Sequence, residues 1–436
     1  MMLPDVLTFV LDAASALLLL AGVAAVLVLW KGCGVLRRLA RSNTRDDVPI
    51  LLKSPRVPAV SAIAVARDAS AQSRAFAHKL LELHFGHHEL VLVLEGVSAD
   101  EMAVWIAEFH LVPTHRSTTG ELSAETVTAA YESTDPLSML VLQTEPSLKP
   151  LTREADAWNT AVNAATSPVI AIFDPETEFA PESLLRLIRP MLDEPELVFA
   201  VCGTAPAPPA AGLSASYSDI EATRTWLVRC AAFAGLKNML APVPGSSILV
   251  RRDAILAAGG FPGGPLELFL HLQGRARRSG KPYRAEFVPE PVSFLPAPRT
   301  MGELRRRNLR DQRAIFRALG RSGAIMGGRF SLGWGLPALS LYRFWLPLLE
   351  TAAIVAAIAA LATGKIAAEV GLLVLLSTVG VGILVSMTSV ILRELADFHG
   401  SDSARLTRLF WTAILENLGY RQIRNLWLIS GALARR

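Results

Sequence analysis

Three long apolar runs lie near the two ends of this 436-residue chain. The first extends from Thr8 to Trp30, and the other two, Leu346 to Thr363 and Ala367 to Leu392, lie near the C-terminus. Each is long enough to cross roughly 30 Å of hydrocarbon as a helix. The start lacks the basic residues and small-residue cleavage site of a signal peptide, so we expect an uncleaved anchor. The short link Gly364-Lys365-Ile366 predicts a helical hairpin near the C-terminus.

The segment between these runs, roughly Pro58 to Pro298, alternates short apolar runs with amphipathic stretches. Glu89 to Leu94, Ser138 to Leu142 and Val169 to Phe173 have the continuous apolar character of buried strands. Glu154 to Ala165 has the spacing of a helix. Strands and helices in alternation predict an α/β fold with a mostly parallel sheet, in which ligands bind at the carboxyl ends of the strands.

Basic residues set the expected orientation in the membrane. Five follow the first apolar run, whereas only Asp5 precedes it: Lys31, Arg37, Arg38, Arg41 and Arg45. The positive-inside rule therefore places the central segment in the cytoplasm, at a cell's inner membrane.

The last stretch, Arg405 to Arg436, mixes apolar residues with charges at helical spacing and predicts a broken or interfacial amphipathic helix. The expected organisation is thus an anchor with a basic linker over 1–57 and a cytoplasmic domain over 58–298. A basic interfacial segment over 299–335 and a hairpin with an amphipathic helix over 336–436 complete it.

Composition narrows the class of protein. A mean hydropathy of +0.37 is too high for an ordinary soluble enzyme, and the central segment is too long to be a loop of a transporter. The net charge of +4 comes from arginines that gather near the apolar runs, where anionic membrane lipid attracts them. No nucleic-acid partner is needed to explain it.

Three separated segments supply candidate chemistry. Asp174-Pro175-Glu176 follows the apolar strand that ends at Phe173, and Glu95 follows another strand. Carboxylates in this position suit a Mg²⁺ or Mn²⁺ ion bound to a nucleoside diphosphate. The alternative for the acidic pair is a plain turn before the helix that starts near Ser183. The other two segments are Pro244-Gly245-Ser246-Ser247 and the basic run from Arg305 to Arg313.

In order and spacing, several motifs resemble those of membrane-embedded family 2 glycosyltransferases, similar in layout to cellulose synthase and hyaluronan synthase. They are Arg153 to Asn159 with the Asp174 strand, Gly245 to Asp253 with Gly259-Gly260-Phe261, and Glu416 to Gln422. The resemblance covers nearly everything after Pro58.

The resemblance implies a GT-A domain, which is Rossmann-like and binds a nucleotide sugar, most simply a UDP-sugar. It implies an inverting transfer of a hexose to a polysaccharide, exopolysaccharide or glycolipid acceptor. Glu95 would contact the base, and Asp174 with Glu176 would hold the metal. Gly245, Ser246 and Ser247 would line the substrate site.

The chain departs from the family where a proton acceptor is expected. Counting back from Arg277-Arg278-Ser279-Gly280 places Phe269 at the family's catalytic Asp, and phenylalanine cannot accept a proton. Glu267, two residues earlier, is the remaining candidate for the catalytic base. The alternative for Glu267 is a solvated carboxylate in a loop.

A second departure lies in the basic run, where the family's Gln-x-x-Arg-Trp motif is incomplete in both possible registers. The resemblance places substrate-binding roles on Arg306, Arg307, Arg310 and Gln312. These arginines would hold phosphates by charge-assisted hydrogen bonds, or alternatively extend into lipid headgroups.

Two functions remain open from the sequence. The first is an active membrane-bound glycosyltransferase. The second is a catalytically inactive relative that acts as a partner subunit of a polysaccharide synthase, because losing a general base costs about 10²–10⁴-fold in rate.

Overall fold

The computed structural model describes residues 3–42, 48–66, 69–116, 119–134, 138–145, 153–204, 206, 210–234, 236, 239–280, 282–290, 292–325, 332–396 and 403–434. The strands are β1 Val60–Ala66, β2 His88–Glu95, β3 Leu111–Pro113, β4 Val127–Ser133, β5 Ser138–Thr144, β6 Val169–Phe173, β7 Glu178–Phe179, β8 Val198–Gly203, β9 Ser247–Arg251, β10 Arg284–Val288 and β11 Ser293–Phe294. These bounds contain the three strands predicted from continuous apolar runs.

The α-helices are α1 Leu3–Ser42, α2 Val48–Leu52, α3 Ala71–Leu81, α4 Ala99–Glu108, α5 Arg153–Ala164, α6 Ser183–Asp193, α7 Leu213–Ala234, α8 Arg252–Ala257, α9 Pro265–Arg278, α10 Met301–Ile325, α11 Gly335–Ser340, α12 Leu346–Ala362, α13 Ala368–Leu375, α14 Val381–Ala396, α15 Ser403–Leu415 and α16 Tyr420–Leu433. Two single π-helical turns, Leu341–Trp345 and Leu376–Gly380, join α11 to α12 and α13 to α14.

Within the described residues, nine strands form one mixed sheet in the order β10-β8-β9-β6-β1-β2-β5-β4-β3. β1 is parallel to both β2 and β6, and β2 is parallel to β5. β4 and β9 run against the other strands of the sheet. The predicted mostly parallel α/β sheet is therefore confirmed, and the carboxyl ends of β1, β2, β5, β6 and β8 share one edge.

Both faces of this sheet are covered by buried apolar side chains. Ile63, Val91 and Ile170 point to one core, while Val60, Leu90 and Val169 belong to the other. A strand buried on both faces needs apolar residues at every position, which explains why these strands read as continuous runs.

Three described helical segments are long and apolar enough to cross a membrane: Val6–Arg38, Gly335–Ala362 and Ala368–Ala396. They coincide with the three apolar runs of the sequence. The stretch after Arg405 is not among them and divides into α15 and α16 at the 3₁₀ turn Glu416–Leu418, as a broken helix would.

The first membrane helix continues without interruption into the α/β domain. Leu29, Cys33 and Leu36 of α1 belong to one of the domain's two cores. A Cβ atom on Gly32 would lie 2.1 Å from the carbonyl oxygen of Leu227, so the absence of a side chain lets α1 and α7 touch through their backbones. This contact fixes the domain against the end of the anchor.

Candidate active site

The acidic pair lies immediately after β6, at the carboxyl edge of the sheet. The backbone N–H of Asp174 donates to the carbonyl oxygen of Ser246 at 2.9 Å, and Asp174 Oδ1 accepts from the N–H of Glu176 at 2.9 Å. Both side chains are partly exposed, Asp174 at 33% and Glu176 at 40%. The turn therefore holds two carboxylates in fixed positions at a solvent-accessible edge.

The segment before β9 approaches the same edge. A Cβ atom on Gly245 would lie 2.5 Å from the carbonyl oxygen of Gly203, so the close approach of the two chains requires glycine. The hydroxyl of Ser246 lies 3.3 Å from that of Thr204 and 3.2 Å from that of Ser293. Ser247 is completely buried, so its role here is to pair β9 with β6 rather than to face the cleft.

Basic side chains from α10 cover the acidic pair. Arg310 forms an ion pair with Glu176, and its Nη2 lies 3.6 Å from Asp174 Oδ2. Arg307 donates from Nη1 to the carbonyl oxygen of Pro296 at 2.8 Å, and its Nε lies 3.9 Å from Glu176 Oε2. In this structure Arg307 and Arg310 face the domain's own carboxylates, whereas the sequence also allowed lipid headgroups.

A cleft of about 660 Å³ opens beside Pro175 and Glu176 of the acidic turn. Its polar lining combines both signs of charge: Gln72, Lys79, Glu176, Glu178, Glu303, Arg306, Arg307 and Arg310. The cleft therefore brings together four of the residues predicted from sequence, Glu176 with Arg306, Arg307 and Arg310. No group of three or more His, Cys, Asp or Glu side chains that could hold a metal ion occurs among the residues described.

Glu95 lies at the same edge of the sheet but is not among the residues that line the cleft. It is 2% exposed and forms an ion pair with Arg153 at the start of α5. A further carboxylate, Glu125, lies nearby and was not found from the sequence. Burial raises the pKa of Glu125, the hydroxyl of Thr144 opposes this, and the charge of Glu95 adds to the rise. The sequence does not indicate Glu125 as a candidate site residue, because Glu125 lies outside every strand and motif.

Glu267 lies in the first turn of α9 and is 4% exposed. The alternative of a solvated loop carboxylate is therefore wrong. Burial raises the pKa of Glu267, and the negative charge of Glu154 adds to the rise against Arg317 and Arg321. A raised pKa is what a carboxylic acid–base group needs near neutral pH.

The distance along α10 separates Glu267 from the acidic pair. Arg310 and Arg321 lie on one face of the helix, eleven residues and about 16 Å apart. Arg310 contacts Glu176, while Arg321 lies beside Glu267 and Gly263. The structure thus connects the two sites through one helix but does not bring Glu267 into the cleft.

Two further positions considered in the sequence, Phe269 and Gln312, are buried and contact other parts of the protein. Phe269 is completely buried and packs against Phe233 with ring centroids 5.9 Å apart. Gln312 is also buried, and its Nε2 donates to the carbonyl oxygens of Arg343 at 2.8 Å and Leu428 at 3.2 Å. In this structure Gln312 joins α10 to a membrane helix and to α16.

Comparison with known proteins assigns the fold. The model of glycosyl transferase family group 2 matches residues 169–388. The mannosyltransferase PcManGT from Pyrobaculum calidifontis, in complex with GDP-Man and Mn²⁺, is similar over 96% of this chain and 99% of its own, with a TM-score of 0.53 and 17% identity. Glucosyl-3-phosphoglycerate synthase from Mycobacterium tuberculosis, in complex with Mn²⁺, UDP and phosphoglyceric acid, covers 63% of this chain and 82% of its own, with a TM-score of 0.37 and 12% identity. No curated protein matches significantly.

Proposed function

The chain belongs to glycosyl transferase family group 2, and from this premise we propose that it is a membrane-bound enzyme. It transfers a sugar from a nucleotide sugar to a polysaccharide or lipid-linked acceptor. Its GT-A fold binds the donor at the carboxyl edge of the sheet. The transfer is a single displacement, which inverts the anomeric carbon.

One observation carries the proposal: acidic and basic groups meet across a single cleft at that edge. At about 660 Å³, the cleft lies within the roughly 300–1,000 Å³ of small-molecule sites. Arg306 and Arg310 would hold the diphosphate by charge-assisted hydrogen bonds. Asp174 and Glu176 would lie on the other side of the same group.

A divalent cation fits the acidic pair. The guanidinium of Arg310 lies against both carboxylates, which shows that Asp174 and Glu176 stabilise positive charge at one point. Mg²⁺ and Mn²⁺ prefer oxygen ligands, and two protein carboxylates leave coordination positions for diphosphate oxygens. When bound, such a cation neutralises negative charge on the leaving group. The similar mannosyltransferase from Pyrobaculum calidifontis also has Mn²⁺ and a nucleotide sugar bound.

The three apolar helices and the charges beside them support the membrane placement. We propose that residues 58–298 face the cytoplasm, where nucleotide sugars are made, and that the protein resides in the cytoplasmic membrane. Helix α10, which lies wholly within the 299–335 segment, would then lie between the membrane helices and the cleft of about 660 Å³, which we call the donor cleft.

A second candidate function is that of an inactive partner subunit of a polysaccharide synthase. It is favoured by Phe269, which lies in the apolar core where the family's proton acceptor is expected. Glu267 stays a predicted base, and the proposed transfer does not depend on it.

Calorimetry of the purified full chain with UDP and Mn²⁺, and in parallel with GDP, tests the proposal. We expect metal-dependent binding of one of the two nucleotides. Asp174→Asn should abolish it while the protein remains folded, because an amide keeps the shape of the side chain and loses its charge.

Asp253→Asn is the matched control. Asp253 is exposed, pairs with Arg251 and lies beyond the opposite edge of the sheet, so this variant should bind as the wild type does. Absence of binding in the wild type would contradict the enzyme and favour the partner subunit. Unchanged binding in Asp174→Asn would refute the metal site.

A further inference from the structure

A second cavity lies where the α/β domain meets the membrane helices, and we call it the junction cavity. Its volume is about 150 Å³. Its charged lining comes from α7, α10, α15 and the start of the second membrane span: Asp219, Glu221, Arg229, Arg307, Asp311, Arg343 and Arg408. The space is smaller than the roughly 300 Å³ at which sites for whole small molecules begin, and it suits a single charged group.

Two arginines of the junction cavity have no ion-pair partner among the described residues. Within the part of the chain that the structure describes, the side chains of Arg229 and Arg343 form no ion pair or hydrogen bond, and Arg229 Nε is buried without a partner. Burial lowers the pKa of Arg229, and the carboxylate of Asp311 opposes this only in part. A buried N–H group without an acceptor is costly, which indicates that a ligand supplies the acceptor and the missing negative charge.

The other carboxylates of the cavity are already engaged. Asp219 forms ion pairs with Arg393 at 2.5 Å and Arg405 at 3.2 Å. Glu221 forms an ion pair with Arg424 at 3.1 Å and accepts a hydrogen bond from Tyr420 at 2.7 Å. Asp311 is 46% exposed and pairs with Nε of Arg310 at 3.6 Å, so it is not free to neutralise Arg229 and Arg343. The uncompensated charge of the cavity is therefore positive.

The position of the cavity connects it to both the donor and the membrane. Arg307 lines the junction cavity and also the donor cleft. Arg343 lies near the start of the span Gly335–Ala362. An anion in the cavity would thus lie beside the bound donor, with any attached apolar chain able to run along the membrane helices.

We infer that the junction cavity binds the phosphate head of a lipid phosphate, which is the acceptor of the transfer. This inference rests on the proposed function and names its acceptor. A phosphate monoester has a second pKa of about 6 and is mostly a dianion at neutral pH. Such an acceptor requires no general base. This agrees with Phe269, which lies in the core, and with Glu267 of α9, which lies beside Arg321 and away from the donor cleft.

The reaction balances without proton transfer. A phosphate oxygen of the dianionic lipid phosphate attacks the anomeric carbon and forms a new carbon–oxygen bond. The bond from that carbon to the diphosphate oxygen breaks, and its electron pair leaves with the nucleoside diphosphate. The products are a lipid-linked sugar phosphate diester with one negative charge and a nucleoside diphosphate with three.

Binding to the full chain in phosphatidylcholine vesicles tests the inference. Four probes separate the sources of the anion: farnesyl phosphate, farnesol, inorganic phosphate and a short β-glucan oligosaccharide. We expect farnesyl phosphate to bind, farnesol not to bind, and inorganic phosphate to compete weakly. Arg229→Gln should weaken farnesyl phosphate binding about tenfold or more, the loss of one charged hydrogen bond. Arg229→Lys should keep much of it.

Arg251→Gln is the control for loss of a surface charge, since Arg251 pairs with Asp253 away from both cavities. Mn²⁺-dependent binding of the nucleotide that the wild type takes, UDP or GDP, is measured on Arg229→Gln and on a second variant, Arg343→Gln, and reports whether each variant is folded. Both variants should retain nucleotide binding while they lose affinity for farnesyl phosphate.

The contrary outcomes are distinct. If the wild type binds UDP or GDP with Mn²⁺ but not farnesyl phosphate, the acceptor inference fails and the proposed function stands. If inorganic phosphate binds as tightly as farnesyl phosphate, the lipid is refuted. If the oligosaccharide binds instead and Trp226→Ala abolishes this, the acceptor is a glycan that stacks on the Trp226 ring lining the cavity. Failure of nucleotide binding in the wild type refutes the proposed function itself.

Discussion

Arg224 of α7 forms an ion pair with Glu416, 192 residues later in the chain. The two side chains are 9% and 1% exposed. Arg224 also donates to Ser386 of α14 at 3.1 Å, and Asn417 donates to the same hydroxyl at 3.2 Å. The pair therefore joins the α/β domain, a membrane helix and the break between α15 and α16.

Removing one member of this pair should destabilise the protein. Glu416→Ala leaves Arg224 buried without its partner, and such losses cost about 3–5 kcal/mol. We expect the free energy of unfolding in detergent to fall by this amount. The double variant Arg224→Ala with Glu416→Ala should lose less than the sum of the single variants, because the second substitution removes an already unpaired charge.

The exposed pair Arg251–Asp253 provides the comparison. Asp253→Ala should change the free energy of unfolding by less than about 1 kcal/mol, as for exposed ion pairs generally. Strictly additive losses at Arg224 and Glu416 would show that the buried pair does not couple the domain to the membrane helices.

Arg310 should have opposite effects on metal and on nucleotide. In the structure it occupies the place between Asp174 and Glu176 that a cation would share. Arg310→Gln should therefore strengthen binding of Mn²⁺ alone, because it frees the carboxylates. It should weaken binding of UDP–Mn²⁺, because one phosphate contact is lost. The side chain is 41% exposed, so solvent screening limits each change to about three- to tenfold.

Arg305→Gln is the matched variant on the same helix. Arg305 is exposed and does not line the donor cleft, so both affinities should stay at the wild-type values. If Arg310→Gln shifted the affinities for Mn²⁺ and for UDP–Mn²⁺ in the same direction, this would contradict the prediction that Arg310 leaves the two carboxylates to contact a phosphate of the bound nucleotide.

The parallel strands could be predicted from sequence because burial on both faces demands uninterrupted apolar residues, as in Val169–Phe173. Asp174 and Glu176 could be placed at the sheet edge because they follow that strand directly. Their contact with Arg310 could not be predicted, since 134 residues separate Glu176 from Arg310 and only the path of α10 brings them together. The segment Glu416 to Gln422 resembles a family motif, but its role as a structural junction depends on partners far away in the chain.

Glu267 offers a test by pH. Because the pKa of Glu267 is raised in the folded protein, the folded protein binds the carboxyl proton of Glu267 more tightly than the unfolded chain does. Its stabilising contribution is complete below the ordinary glutamate pKa of about 4.3 and is lost as the pH rises through the raised value. Glu267→Gln should thus melt at a higher temperature than the wild type at about pH 8, and this difference should shrink towards about pH 4.

Turnover of the same variant reports on the role of Glu267. A loss of about 10²-fold or more would identify Glu267 as the base for a hydroxyl acceptor. An ionised phosphate acceptor predicts turnover close to that of the wild type. Glu196→Gln, at an exposed carboxylate, should change neither the melting temperature nor the turnover. A melting temperature of Glu267→Gln that falls at about pH 8 would contradict the buried, proton-binding carboxylate.

The orientation in the membrane is open to cysteine labelling from outside the cell. The hairpin at Lys365 joins two apolar spans and is exposed, and Ala107 is exposed on α4 of the α/β domain. With basic residues following the first span, the positive-inside rule puts Lys365 outside and Ala107 inside. A membrane-impermeant maleimide should therefore label Lys365→Cys in intact cells and label Ala107→Cys only after the membrane is opened. The three native cysteines are buried, so background labelling should be low. The reverse pattern would place the donor cleft outside, away from the nucleotide sugars that the proposed function requires.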